Sequence, residues 1–147
     1  MSASSATAHV GRLWQATFAP GFHDVSGTVT VLDEDTLQFD NFTYDGGGIF
    51  VLFYLGETDS TDSFLNGLPV GDDLVGTAYD GTQPAFTVDL PAGTTIDGYH
   101  AISVWCVDVG VSFSSGTFQP QPVPEPATCV LAVVAVGLGW MRWRASK

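Results

Sequence analysis

Between residues 10 and 118 apolar and polar residues alternate in short runs, and each run stops at glycine, proline or aspartate. Val25, Val29 and Val31 share one parity, with Ser26, Thr28 and Thr30 between them. Such alternation puts one set of side chains on each face of a half-buried strand. Asp33-Glu34-Asp35 interrupts it. Thr36 to Phe42 then resumes with Leu37 and Phe39 on one face, which predicts a β-hairpin. Gly46-Gly47-Gly48 breaks the chain before Ile49 to Leu55, a segment apolar on both faces as a buried strand would be. Glu57 to Asp73, rich in Gly, Ser, Thr and Asp, reads as a long loop. Further strands are predicted near residues 74–79, 85–90, 99–107 and 109–118, with Pro91-Ala92-Gly93 as a turn. About eight short strands with turns every 8–12 residues or so predict an all-β chain, a single antiparallel β-sandwich over residues 10–118.

The flanks have a different character. Residues 1–9 are small and polar and read as a disordered N-terminus. Residues 119–126 carry proline at positions 120, 122, 124 and 126, the composition of an extended, semi-rigid spacer. From Ala127 to Met141 there are fifteen residues without a charge. That is short against the roughly 20 that span a bilayer. Trp140 and Trp143 suit the interface, however, and the arginines can snorkel. Three of the four Lys and Arg residues, Arg142, Arg144 and Lys147, follow the apolar run. The positive-inside rule then places Lys147 in the cytoplasm and residues 1–120 outside, with residues 127–147 as a C-terminal transmembrane helix and basic tail. The alternative, a C-terminal core helix, would need the polar face that this run lacks. An exported chain is expected to open with a basic segment and an apolar run of roughly 7–15 residues. Met1 to His9 holds none, so the export signal is expected upstream of Met1.

Charge narrows the partners. Fifteen of the sixteen acids precede the tail, where Arg12 is the one base, so the domain carries about −14. This excludes nucleic acid, whose phosphates demand Lys and Arg, and opposes adsorption to anionic membranes. It fits an exported soluble domain, or one that meets cations. Asp33-Glu34-Asp35, Asp59 with Asp62, and Asp72-Asp73 lack the spacing of a calcium loop and read as polar turns. Gly46-Gly47-Gly48 is no phosphate loop, and no zinc pattern or nucleophile–base–acid set has recognisable spacing.

Cysteine carries the sharpest signal. Cys129 lies in the apolar tail, so removal of the tail leaves Cys106 as the lone thiol. Trp105 and Val107 alternate with Val104 and Cys106, so both faces are apolar, the strand is central and Cys106 is buried. Cys106 is then either a small hydrophobe or a thiol polarised by a neighbour such as His23 or Asp45. His23 shares parity with Val25, Val29 and Val31. It points to the core if that strand extends so far, or else caps the strand end.

Two resemblances extend these readings. Pro124-Glu125-Pro126, the apolar run and the basic end resemble the PEP-CTERM sorting signal of Gram-negative bacteria, here over residues 123–147 with Val123 at its start. The resemblance implies an exosortase-type processing protease as partner. It also implies transient inner-membrane anchoring and a cell-surface or matrix destination, with exopolysaccharide as a further partner. His23-Asp24-Val25-Ser26-Gly27, Phe42-Thr43-Tyr44-Asp45-Gly46 and Val104-Trp105-Cys106 occur in the order of the DM13 domain and resemble it over roughly residues 14–118. DM13 domains are small extracellular β-domains with a characteristic cysteine proposed for redox or electron transfer, often beside haem-binding domains. The resemblance maps that cysteine onto Cys106 and a histidine onto His23, and admits haem or copper as cofactor. A non-catalytic surface or exopolysaccharide-binding module is the alternative.

Overall fold

The hairpin around Asp33-Glu34-Asp35 forms, and it organises the first of two antiparallel sheets. In a computed structural model, which describes residues 14–121, β2 (Ser26–Asp33) pairs with β3 (Thr36–Tyr44). β1 (Trp14–Thr17) lies on the other side of β2. The chain later returns to this sheet three times. β6 (Tyr79–Asp80) and β7 (Phe86–Asp89) pair with the two halves of β3, and β10 (Gln119–Pro120) pairs with β1. The second sheet runs β5 (Leu68–Val70), β4 (Val51–Gly56), β8 (Ala101–Cys106), β9 (Val111–Thr117).

The two sheets share one core. Val29, Val31, Leu37 and Phe39 from the first meet Val51, Phe53, Leu55, Ile102, Val104 and Cys106 from the second. At its centre Phe39 stacks on Phe53 with ring centroids 4.3 Å apart and on Phe86 at 5.1 Å. Each such pair contributes about 0.5–1.5 kcal/mol beyond its buried area. β8 is central, flanked by β4 and β9, and buried on both faces as its sequence implies. Its outer face carries Ala101 and Trp105 into a satellite cluster under Phe64.

Phe64 belongs to an element the sequence does not announce. The segment 57–73 is not a featureless loop. It holds a short helix, α1 (Thr61–Leu65), and β5. Ser60 caps α1 by accepting from the Ser63 amide at 3.2 Å, the ordinary role of serine at a helix start. Five residues are too few to display a helical period. The strand predicted at 74–79 shrinks to Tyr79–Asp80. Asp73 Oδ1 accepts from the amides of Val51 and Val75 there, and Gly76 has a positive φ, so the chain turns instead. β4 also starts two residues later than expected, leaving Ile49 and Phe50 outside it.

The pairings give the domain two ends. Trp14, the β2–β3 turn, Gly56 and Pro120 lie at the turn end. Tyr44, Val51, Cys106 and Val111 lie at the other. The predicted spacer beyond residue 121 and the C-terminal helix lie outside the described residues. Among the described residues no helix is long and apolar enough to cross a membrane.

Candidate functional site

Three local irregularities build the end that holds Cys106. In β3 the register slips where Gly27 faces Asn41 and Phe42, and Asn41 takes a positive φ of 52°. The slip reverses the parity of the strand. Leu37 and Phe39 face inward before it, and Phe42 and Tyr44 face inward after it. Gly27 permits the crossing, because a Cβ there would come within 2.9 Å of Phe42 Cα. In β9 the register slips again at Phe113, the residue left over between the Val104–Ser114 and Trp105–Ser112 pairs. Bulges of this kind re-aim side chains and recur beside functional sites. Here the Phe113 ring is turned onto His23, with centroids 4.3 Å apart.

The third irregularity is the turn that carries His23. His23 is not on β2. It sits in a single 3-10 turn, Phe22–Asp24, and both His23 and Asp24 have φ of 58°. Left-handed backbone at two successive non-glycine residues is uncommon and persists only where its surroundings fix it. They do so here. The His23 carbonyl accepts from the Asp45 amide at 3.0 Å, and the Asp24 carbonyl accepts from the Thr43 hydroxyl. β2 begins only at Ser26, so the strand does not extend to His23 and its parity does not aim the imidazole at the core.

The turn hands the imidazole to Asp45. His23 Nδ1 lies 2.9 Å and 3.0 Å from the two Asp45 carboxylate oxygens. Both side chains are partly exposed, at 34% and 42%. Gly47 lies against the imidazole so closely that a Cβ would fall 2.7 Å from Nδ1. Its amide donates to Asp45 Oδ1 at 2.7 Å. That bond, with help from His23 and against some desolvation, holds the Asp45 carboxyl below the usual carboxylate range.

Cys106 lies at the same end of the domain, at the end of β8 between Val51 and Val111, and is 1% exposed. It is a free thiol and the only cysteine among the described residues. Tyr44 is buried beside it, and its hydroxyl donates to the Gly47 carbonyl. Burial first, then the charges of Asp45, Asp73 and Cys106, push the Tyr44 phenol up to about 12. The phenol is therefore a neutral donor near pH 7, never a base. Tyr44 was not among the residues expected at a site, although the Phe-x-Tyr-Asp-Gly element contains it. Outside, a cleft of about 460 Å³ runs along Asp24, Thr43, Tyr44, Asp45, Tyr79 and Asp80. No three His, Cys, Asp or Glu side chains converge as a metal-holding group among the described residues.

Residues 17–118 match the family described as Electron transfer DM13. The chain belongs to the DM13 family. Two relatives of this DM13 chain are the Drosophila melanogaster proteins named Protein Skeletor, isoforms B/C and isoforms D/E. Each is 30% identical over 122 residues, covering 78% of this chain. The chain spans only 15% and 8% of the length of these two curated relatives. No solved structure matches. Val123, Pro124, Glu125 and Pro126, with Arg142, Arg144 and Lys147, lie outside the described residues, as does Cys129.

Proposed function

We propose that the domain is a one-electron transfer module with Cys106 as its redox group. The observation that carries this reading is the placement of the lone thiol. It sits buried inside a DM13 fold, near the Tyr44 phenol, at the end of the domain that also carries the His23–Asp45 pair on left-handed backbone. On oxidation one electron leaves Sγ for an external acceptor, and the thiol proton passes to solvent. Burial of the sulfur keeps a second thiol from reaching it, which favours single-electron exchange over disulfide formation.

The test uses the full chain with Cys129→Ser, so that one thiol remains. A cationic one-electron oxidant, tris(phenanthroline)cobalt(III), is added without oxygen. The reading expects one cobalt(III) reduced to cobalt(II) per chain, and none when Cys106→Ser is added. Haem and copper are offered in parallel, and visible absorption reports any complex. A thiol that gives up no electron and a chain that binds neither cofactor would support the second reading. That reading is a non-catalytic surface or exopolysaccharide-associated module, favoured by the near-complete burial of Cys106.

For the whole protein we propose export and exosortase-type sorting. The C-terminal segment would hold it transiently at the inner membrane, on the way to the cell surface or matrix. The support is the Val123-Pro124-Glu125-Pro126 sequence, the uncharged run and the basic end. Replacing Pro124, Glu125 and Pro126 with alanine in the native host should block processing. Unchanged processing and location would remove the proposal.

A further inference from the structure

We propose that the His23 end of the domain is a docking face for a basic electron-carrier protein, one whose lysines or arginines ring an apolar contact patch. Naming the partner an electron carrier rests on the redox reading above. The docking face stands on separate observations.

The first is apolar exposure. Of seven exposed large hydrophobic residues among the described residues, five lie at this end: Phe22, Ile49, Phe50, Val109 and Val111. Ile49 is 67% exposed and Phe22 66%. Their placement follows from the pairing. Val111 faces Cys106, which faces Val51, the neighbour of Phe50. The Val107 amide donates to the Phe50 carbonyl, which brings the Val109 turn alongside. Phe22 follows Gly21, which packs on the Phe113 carbonyl, and Gly48, just before Ile49, lies near the Phe113 ring. Scattered exposed apolar residues need no explanation, but a gathered set rimmed by charge marks a contact surface.

The second is charge. Residues 14–121 contain fifteen carboxylates and no Lys or Arg. Next to the apolar set, Asp24, Asp45 and Asp80 line the open cleft beside Tyr44, and Asp108 sits in the Val109 turn. A lysine or arginine side chain is the complement of that cleft. A second copy of this domain would bring the same negative charge, and an anionic lipid surface would be repelled. Acidic surface around an apolar centre thus selects a partner with basic surface around an apolar centre, and steers its approach.

The third is access. Trp14 and Pro120 pair at the turn end. The first and last described strands thus both end at the turn end, opposite the His23 turn.

The test titrates the full 147-residue chain, in non-ionic detergent, with a lysine-rich c-type cytochrome and with the same cytochrome after lysine acetylation. Calorimetry reads binding without electron transfer, so a redox-inert Cys106 would sink the redox reading and leave this measurement standing. The native cytochrome is expected to bind and to lose affinity at least about tenfold as the Debye length shrinks from about 30 Å at 0.01 M salt to about 8 Å at 0.15 M. The acetylated form is expected not to bind. Ile49→Ser with Val109→Ser, and separately Asp24→Asn with Asp80→Asn, should each weaken binding about tenfold. All four positions are exposed, and circular dichroism checks the fold. Equal binding of the acetylated cytochrome overturns the proposal, as does affinity indifferent to both double variants. So does sedimentation as a dimer that Ile49→Ser dissolves, or binding to phosphatidylcholine vesicles that Ile49→Ser with Val109→Ser abolishes.

Discussion

At the turn end, β2 and β3 are joined by three acidic residues on regular backbone, and the Glu34 and Asp35 carbonyls accept from the Ile96 and Leu90 amides. The Asp35 amide donates to Asp33 Oδ1, and the Thr36 hydroxyl to Asp35 and Asp89. At the His23 end nothing is so economical. All three non-glycine residues with positive φ among the described residues are there, with Gly47 and Gly48 and the Phe113 bulge. The contrast separates two uses of backbone. Regular pairing closes a sheet with any short polar turn. Bringing a thiol, a phenol and an imidazole to one place requires departures from pairing, and each departure costs stability that neighbouring bonds must offset.

The largest test of this contrast pairs two buried phenylalanines. Phe113→Ala at the His23 end and Phe118→Ala near the turn end should each cost about 3–5 kcal/mol in urea unfolding, the usual loss for a buried ring. Only Phe113→Ala should also speed modification of Cys106 by a thiol reagent in the Cys129→Ser chain, because its ring packs on His23 at the end that holds Cys106. Equal acceleration by both would mean that the thiol reports global opening and that the ends do not differ. Next come two glycines. Gly47→Ala forces a Cβ to within 3.0 Å of the His23 ring and Asp45, at a cost of about 1–3 kcal/mol. Gly93→Ala, with φ of +82° and open space around it, should cost about 1 kcal/mol from backbone strain alone. The His23 ring resonances should shift in the first and stay in place in the second.

These irregularities also mark where the sequence stopped being readable. Val25 to Phe42 announced the hairpin because polar and apolar residues alternate there in register with the pleat. The burial of Cys106 followed from apolar residues on both faces of β8. Tyr44 was hidden because parity counted from Leu37 and Phe39 puts it outside, and only the slip at Asn41 turns it in. His23 stayed open between core and strand end for a related reason: its parity holds only on a strand, and β2 starts three residues later. Alternation predicts faces only while pairing stays regular, so the residues gathered by bulges and left-handed turns are the ones it misplaces.

Tyr44→Phe probes the buried half of the site. It removes the donation to the Gly47 carbonyl, a loss of about 1 kcal/mol. It also changes the alkaline limb. A phenol raised to about 12 in the folded chain titrates near 10 when unfolded. Its contribution is complete below the lower value and disappears as pH rises through the higher one. Thermal unfolding of the parent should therefore weaken between those values more than that of Tyr44→Phe. Absorbance at 295 nm should show one late-titrating tyrosine fewer in the variant. Because the phenol lies at the His23 end, this alkaline loss belongs to that end alone.

The smallest effect divides the acid limb. Asp45 is held below the usual carboxylate range mainly by the Gly47 amide, and Asp33 at the turn end mainly by the Asp35 amide. A carboxyl whose folded value is depressed stabilises the fold above its unfolded value, and that contribution is lost as pH falls through the folded one. Asp45→Asn and Asp33→Asn should each flatten part of the stability decline below about pH 4. Asparagine still offers an oxygen to the amide in each case, so neither variant should unfold the domain. The ends part in the second readout. Asp45→Asn takes the charge from beside Nδ1 and should shift the His23 ring resonances, with Cys106 accessibility rising as the imidazole loosens from Gly47. Asp33→Asn should leave both unchanged, since its partners are Asp35 and Thr36 at the far end of β2. If Asp33→Asn moved the His23 signal as far as Asp45→Asn does, the two ends would be coupled through the sheet, and access to the thiol would be a property of the whole domain.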